Sequence, residues 1–536
     1  MSETIEEGGQ AEGQLRRSRG RLFGRSVLQA VFRAPVDEDL FLGEILVGED
    51  DATGRRYLFR VVDITYGSEH REPGWAERVA GVLLQDDASG AQAHRLYDGA
   101  TRTYRVAECA CLGYIAPDGK EFRKPKSLPT QFSRVVSPSL DDFRFLELRM
   151  GDLRVGKLRS GETEVGLEVG IPGDSLASHV GIFATTGMGK SNLLRVLASA
   201  VMSRGGRYGM VLFDPHGEHL PLLSRHPWAA ESLSVYSASQ RPGANALRVS
   251  LAELSLDDLR TAYEWSRPQE EAIYELERHF RKVGLSWLED LAGIDDLQGF
   301  REVELSSRIA LSTLQVIHRR ARRLVSLEAI ATDPQISVGK AILDDLQRGK
   351  VVLIHLAGMD STEEVLVASY LARKVFDTWG EAYRSDPEAH ARMPVVALAL
   401  EEAQRVLSGA ATRNRDTNVF ARIAREGRKF KVGIVAVTQQ PRLLDDELLS
   451  QLNTFFVLGV ADEKDRSIIR ASAKSDMSSL GAEIQTLMPG EALLANLSAP
   501  FVVPCRIYRY EEAVSASPQP PRKLRMDPVA VSALVD

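Results

Sequence analysis

The chain has 536 residues, 44% hydrophobic and 26% charged, with a formal net charge of −7. That is room for two to four domains with a sizeable core; it excludes a chain that coats nucleic acid non-specifically but leaves a local basic channel open. Three cysteines (Cys109, Cys111 and Cys505) give neither a disulfide framework nor a zinc site, and the longest apolar runs are strand-sized, so no membrane span and a reducing, cytoplasmic setting are expected.

Residues 1–25 are polar, glycine-rich and arginine-rich, with Arg16, Arg17, Arg19, Arg21 and Arg25, and read as a disordered basic tail. An N-terminal β-barrel is expected over 26–150. Its signal is a series of short β-type runs between turns: Phe41 to Val47, Tyr57 to Tyr66, Val79 to Leu84, Tyr104 to Ala110 and Phe145 to Met150. No cluster of catalytic side chains falls there, which suits an assembly or docking module.

From Ser178 onward strands alternate with helices. The runs Val180–Phe183, Tyr208–Asp214, Val351–Leu356, Val395–Leu400, Val432–Thr438 and Thr454–Val460 are continuously apolar, the pattern of parallel strands buried on both faces. The fold class is therefore α/β, a mostly parallel sheet over 151–219 and 348–510. A helical insertion is expected at 220–347, with a helix start at Pro268 and acids Glu270 and Glu271 in its first turn. Residues 511–536, proline-rich at first, read as an arm or tail.

The segment Phe183-Ala-Thr-Thr-Gly-Met-Gly-Lys-Ser-Asn192 runs from strand to glycine-containing loop to helix, the context a phosphate-binding loop needs. Backbone N–H groups from Thr185, Thr186, Gly187, Met188, Gly189, Lys190, Ser191 and Asn192 can surround phosphate oxygens at a helix N-terminus. Lys190 is expected on the β- and γ-phosphates of ATP and Ser191 on Mg²⁺. Ala184 stands where the strict pattern has glycine; the loop tolerates it if its φ is negative.

An apolar strand ends in Glu401 and Glu402, with Glu401 expected to orient the metal and Glu402 to polarise the attacking water. The strand Val432–Thr438 leads to Gln439, placed to sense a γ-phosphate or orient water, or simply a polar strand terminus. Arg422, Arg425 and Arg428 recur along one side of a helix: a solvated basic face, or a source of charge for a phosphate. Asp214 and Glu218, in Asp214-Pro-His-Gly-Glu218, could meet metal-bound water or a partner subunit, whereas His216, with no second histidine in register, reads as structural. Arg319, Arg320, Arg322 and Arg323 lack interleaved aromatics and read first as a solvated helix face, then as a DNA contact.

These motifs, in this order, resemble the HerA-type hexameric DNA translocases, within the group that includes FtsK and the conjugation ATPases. The likeness rests on Ser178–Asn192, Asp214–Glu218, Glu401-Glu402-Ala403, Ile423–Phe430, Thr438-Gln-Gln-Pro441 and Asn453, and spans about residues 140 to 510. It implies a RecA-like P-loop core, a homohexameric ring, double-stranded DNA in a central channel and ATP hydrolysis at subunit interfaces. Arg425 or Arg428 would then act in trans, and a nuclease of the NurA kind, or another effector, would dock on the barrel. Repair or recombination is the implied setting; the alternative is the same ATPase as motor or nucleotide-stabilised scaffold of an antiphage defence complex. Three positions depart from the family pattern: Gln404 replaces a histidine, Gln440 a frequent arginine, and Ser178 a basic residue.

Overall fold

The computed structural model describes residues 16–69, 73–89, 103–119, 121–280, 284–295, 309–336, 338–408 and 418–518, with 299, 301 and 303. Two compact units emerge. The first takes the chain to Arg149 together with Lys157–Leu167 and Ser479–Glu483; the second takes Met150–Gly156, Glu168–Ser478 and the remainder.

The first unit is a closed antiparallel barrel. Its strands are β1 (Ser18–Leu22), β2 (Gln29–Pro35), β3 (Ile45–Asp50), β4 (Arg55–Ser68), β5 (Thr103–Ile115), β6 (Phe122–Arg123) and β7 (Arg134–Val136). They run in the order β2-β1-β7-β3-β4-β5, β2 pairs back onto β5, and β6 hangs on β5. Closure leaves no open edge among the six ring strands. Phe32, Leu46, Tyr57, Phe59, Val61, Ala107 and Val135 fill the interior. Two register shifts between the long strands β4 and β5, at Leu58/Phe59 and Val61/Asp63, supply the bends that curvature demands.

Three expectations are corrected here. Residues 16–25 are not a tail, since β1 begins at Ser18 and its arginines are paired: Arg16 with Asp142 at 2.6 Å, Arg17 with Glu38 at 3.0 Å, and Arg19 with Glu38 at 2.7 Å and with Glu44. Residues 1–15 lie outside the described residues. Val79–Leu84 is helical, within Trp75–Ser89; a short apolar run is ambiguous by itself, and the helix formers Ala76, Glu77 and Arg78 decide it. Phe145 belongs to a helical turn, Arg144–Glu147, entered through a capping box between Ser139 and Asp142.

The barrel unit also holds a buried ion triad. Arg60 grips Glu483 bidentately at 2.8 and 2.7 Å, and Arg159 reaches the same carboxylate at 3.2 Å, all three side chains being 7% exposed or less. Removing one partner strands charge in a low-dielectric interior, at a cost of about 3–5 kcal/mol. Glu483→Ala is therefore expected to lower the barrel's melting transition by about 6–20 °C in calorimetry of the whole chain.

The second unit is built on one large sheet. Its strands include β8 (Leu153–Ser160), β9 (Thr163–Ile171), β10 (Val180–Phe183), β11 (Tyr208–Asp214), β12 (Leu233–Ser237) and β13 (Asn245–Ala246). After the small pair β14 (Val249–Ser250) and β15 (Ile330–Ala331) come β16 (Val351–His355), β17 (Val395–Leu400), β18 (Val432–Thr438), β19 (Thr454–Val457), β20 (Glu491–Asn496) and β21 (Val503–Ile507). The order is β13-β12-β16-β11-β17-β18-β10-β19-β20-β21-β8-β9. Pairing is parallel from β13 to β19 and antiparallel from β19 to β21. Strands β10, β11, β16, β17 and β18 are buried at every position, which is why they read as unbroken apolar runs.

The expected insertion at 220–347 is only partly helical. Its first strand, β12, pairs with β16 inside the main sheet, and Ser234 and Ser237 had diluted its apolar signal. The helices that follow, including Arg267–Phe280 and Leu311–Val325, close over Leu276, Trp287, Leu314 and Ile317. Past β21, Tyr510–Ala516 forms a helix against the helix Lys190–Met202 rather than a free arm, and 519–536 lie outside the described residues.

Candidate active site

The order β17-β18-β10 sets one strand between the phosphate-loop strand and the strand ending in the two acids. In register, Phe183 lies beside Thr438 and Leu400 beside Ala436, so the loops after β10, β17 and β18 open at the same carboxyl edge.

After β10 the chain turns through Gly187 and Gly189, with φ of 84° and 102°, into the helix Lys190–Met202. Only glycine enters that region without strain, and Gly187 faces open space where a Cβ would intrude on a ligand. Ala184 is not among the residues with positive φ, so the substitution costs the loop no strain. Thr185 is anchored, its N–H and hydroxyl donating to the Gly459 carbonyl at 3.0 and 2.9 Å. The Lys190 ammonium donates to the Ala184 carbonyl at 3.3 Å, folded across the mouth of the loop. Burial lowers its pKa, opposed by Glu402, Glu401 and Glu218, which favour the charged form.

Asn192 falls outside this group. Its amide donates to Tyr508 O at 2.7 Å and accepts from Tyr510 N at 3.1 Å, so it ties down the C-terminal helix and has no spare group for phosphate.

Glu402 has φ of 50°, a left-handed conformation a glutamate enters only when its surroundings hold it. The amide of Gln404 donates to its carboxylate at 2.6 Å, and the Gln439 amide approaches the other oxygen at 3.4 Å. Gln404 in turn accepts from the Thr438 hydroxyl at 2.7 Å, and the Thr186 hydroxyl donates to Gln439 at 2.6 Å. A continuous polar chain thus joins the phosphate loop to Glu402 through Gln439. The role of Gln404 escaped the sequence reading because a glutamine after two acids looks like a solvated side chain. Its removal frees one carboxylate oxygen, so Gln404→Ala is expected to lower kcat for nucleotide hydrolysis about 10-fold with KM little changed, measured by steady-state turnover.

Glu401 points elsewhere. Its carboxylate lies 3.1 Å from Nε2 of His219, a residue with no exposed side-chain surface, beside the buried Asp214. His219 was passed over in favour of His216, which is exposed.

The basic clusters separate cleanly. Among Arg319–Arg323, Arg320 stacks 4.3 Å over Trp265, Arg322 pairs with Asp295 at 3.4 Å and Arg323 with Asp360 at 2.8 Å, the partners of a structural helix face. Arg422 lies over the Phe376 ring at 5.1 Å. Arg425 and Arg428 are exposed at the other end of the sheet from the phosphate loop. Their position follows from His179, which precedes β10: its Nε2 donates to Ala424 O at 3.1 Å while its Nδ1 accepts from Ile434 N at 3.1 Å. Burial lowers the pKa of His179 to about 4, so this latch is neutral and keeps one tautomer. Arg428 shares a cleft with Arg207, Arg392 and Lys431, one acid, Asp174, among them.

Comparison with known proteins agrees with this geometry. The family description "Helicase HerA, central domain" matches residues 153–375. The DNA double-strand break repair helicase HerA of Saccharolobus solfataricus is 28% identical over 333 residues, covering 61% of this chain and 63% of that protein, so less than two thirds of its length is represented. That of Sulfolobus acidocaldarius is 25% identical over 413 residues, covering 75% of this chain and 77% of its own. Among solved structures, the bacterial conjugative coupling protein TrwB gives a TM-score of 0.45 at 16% identity, covering 66% of this chain and 90% of TrwB. With that central domain starting at β8 and its phosphate loop, acids and glutamine meeting at one sheet edge, the chain is a HerA-type P-loop protein of the FtsK–HerA group.

Proposed function

We propose that this chain is an ATPase that moves double-stranded DNA, working as a hexameric ring whose nucleotide sites lie between neighbouring copies and whose barrel carries a nuclease or other effector for end processing. The observation that carries this reading is the convergence of Lys190, Ser191, Glu402 and Gln439 at one edge of the parallel sheet, with Arg425 and Arg428 at the other. Strand β18 is seven residues long, so the arginines stand roughly 20 Å from their own chain's γ-phosphate position. An arginine so placed serves a phosphate only on an adjacent copy.

The residues fit a magnesium nucleotide. The loop glycines leave space for phosphate oxygens, the N–H groups of Gly187 to Ser191 face it, and Lys190 needs only to leave the Ala184 carbonyl. Ser191 and Glu401 would hold Mg²⁺, which when bound neutralises charge on the phosphate oxygens. Glu402 accepts a proton from the attacking water, and Gln439, bonded to Thr186 on one side and close to Glu402 on the other, relays γ-phosphate occupancy to that carboxylate. Among the described residues no helix is long and apolar enough to cross a membrane.

The test is ATP turnover by the purified chain with and without linear duplex DNA, alongside particle images of the assembly. DNA-stimulated turnover abolished by Lys190→Ala, and six-fold rings threaded by DNA, are the expected outcomes. A chain that binds no nucleotide at saturating ATP, or whose turnover ignores DNA, overturns the reading.

A further inference from the structure

We infer that Asp214, His219 and Glu401 form a binding site for a divalent first-row transition ion, separate from the magnesium that accompanies the nucleotide. One ligand atom from each of the three lies within 4.8 Å of the others, the spacing of donors around a single ion. They come together for a topological reason. Asp214 ends β11 and Glu401 follows β17, which pair in parallel with Phe213 beside Leu400, and the turn Pro215–Glu218 brings His219 back over that edge.

The second observation is a deficit of partners. Asp214 and His219 have no exposed surface, yet neither ring nitrogen of His219 makes a hydrogen bond, despite the 3.1 Å approach of Nε2 to Glu401, and Oε2 of Glu401 has none either. Buried polar atoms are nearly always satisfied, and a cluster of orphans around one point calls for an ion or water. Asp214 is fixed in place by the N–H groups of Glu218 and His219, at 3.0 and 3.1 Å, which leave lone pairs on both its oxygens. Two buried carboxylates this close need a compensating positive charge.

The donor set selects the ion. One imidazole nitrogen with two carboxylates suits Mn²⁺ or Zn²⁺, whereas Mg²⁺ prefers oxygen ligands and keeps its water. Three protein ligands also leave a position open for water, as in catalytic rather than structural sites. Neither Asp214 nor His219 is needed for phosphate-loop binding, so occupancy should not require nucleotide.

The experiment uses the full chain, stripped of metal and free of nucleotide, titrated with Mn²⁺ and followed by electron paramagnetic resonance of the free ion. One Mn²⁺ per chain is expected, retained by Lys190→Ala and not displaced by a tenfold excess of Mg²⁺. His219→Gln and Asp214→Asn, both close in volume to the originals, should each weaken it beyond the roughly 10–100-fold lost when an outer-sphere partner is removed. Circular dichroism checks that each variant is folded, and the wild-type titration stands without them. Absence of bound Mn²⁺ in the wild type would show that a protonated His219 supplies the charge, and would overturn the site. So would binding that survives both substitutions in folded protein. ATP binding is measured separately, so loss of this site leaves the ATPase reading standing.

Discussion

Replacing Arg428 with alanine is expected to lower ATP turnover by about 10³–10⁵-fold while leaving nucleotide affinity nearly unchanged. A guanidinium that meets the γ-phosphate in the transition state stabilises charge that the ground state lacks, so its loss falls on kcat. Arg428 is preferred over Arg425 on its surroundings. It opens onto the cleft with Arg207, Arg392 and Lys431, whereas Arg425 borders a pocket containing Asp445 and Glu447, acids that would compete with phosphate. Arg425→Ala should therefore have the smaller effect. The decisive form of the test mixes two inactive proteins, Arg428→Ala and Glu402→Gln. Where a copy of the first presents its intact Glu402 to the intact arginine of the second, a complete site is restored. Recovered turnover in the mixture, absent from either protein alone, reports a site built from two chains; an inert mixture counts against it.

Glu402→Gln should reduce turnover by about 10²–10⁴-fold, the range for loss of a positioned general base, with nucleotide binding intact. The conformation at Glu402 makes the prediction specific. A glutamate at φ of 50° carries strain of about 1–3 kcal/mol, which the surrounding hydrogen bonds must offset. Glutamine has nearly the same shape and keeps the backbone where it is, so chemistry and fold are separated. If Glu402→Gln turned over ATP at the wild-type rate, the water-activating role would pass to another residue, and Glu401 would be the first to test.

The core strands were legible because they are buried on both faces: β10, β11, β17 and β18 begin and end where their apolar runs do. The phosphate loop and the acid pair were legible because their chemistry is local, a few residues at fixed spacing. What was hidden depends on distant partners. An arginine-rich segment reads as a tail until Asp142, Glu38 and Glu44 arrive to pair with it. Asn192 sits in the motif as a phosphate ligand until Tyr508 and Tyr510 claim its amide. His219 stayed hidden for the same reason, since its meaning depends on an acid 182 positions further along.

The barrel's ownership of Glu483 has a consequence for how the protein is made and dissected. A fragment ending at Arg149 would leave the Arg60 guanidinium sealed in apolar surroundings with neither Arg159 nor its counter-ion. During synthesis the same holds: the first unit to emerge waits for nearly the whole polypeptide before its last charge is neutralised. Excision constructs that omit the stretch 479–483 are thus poor reagents for studying this module, and grafting that short piece back through a linker is the rational way to isolate it.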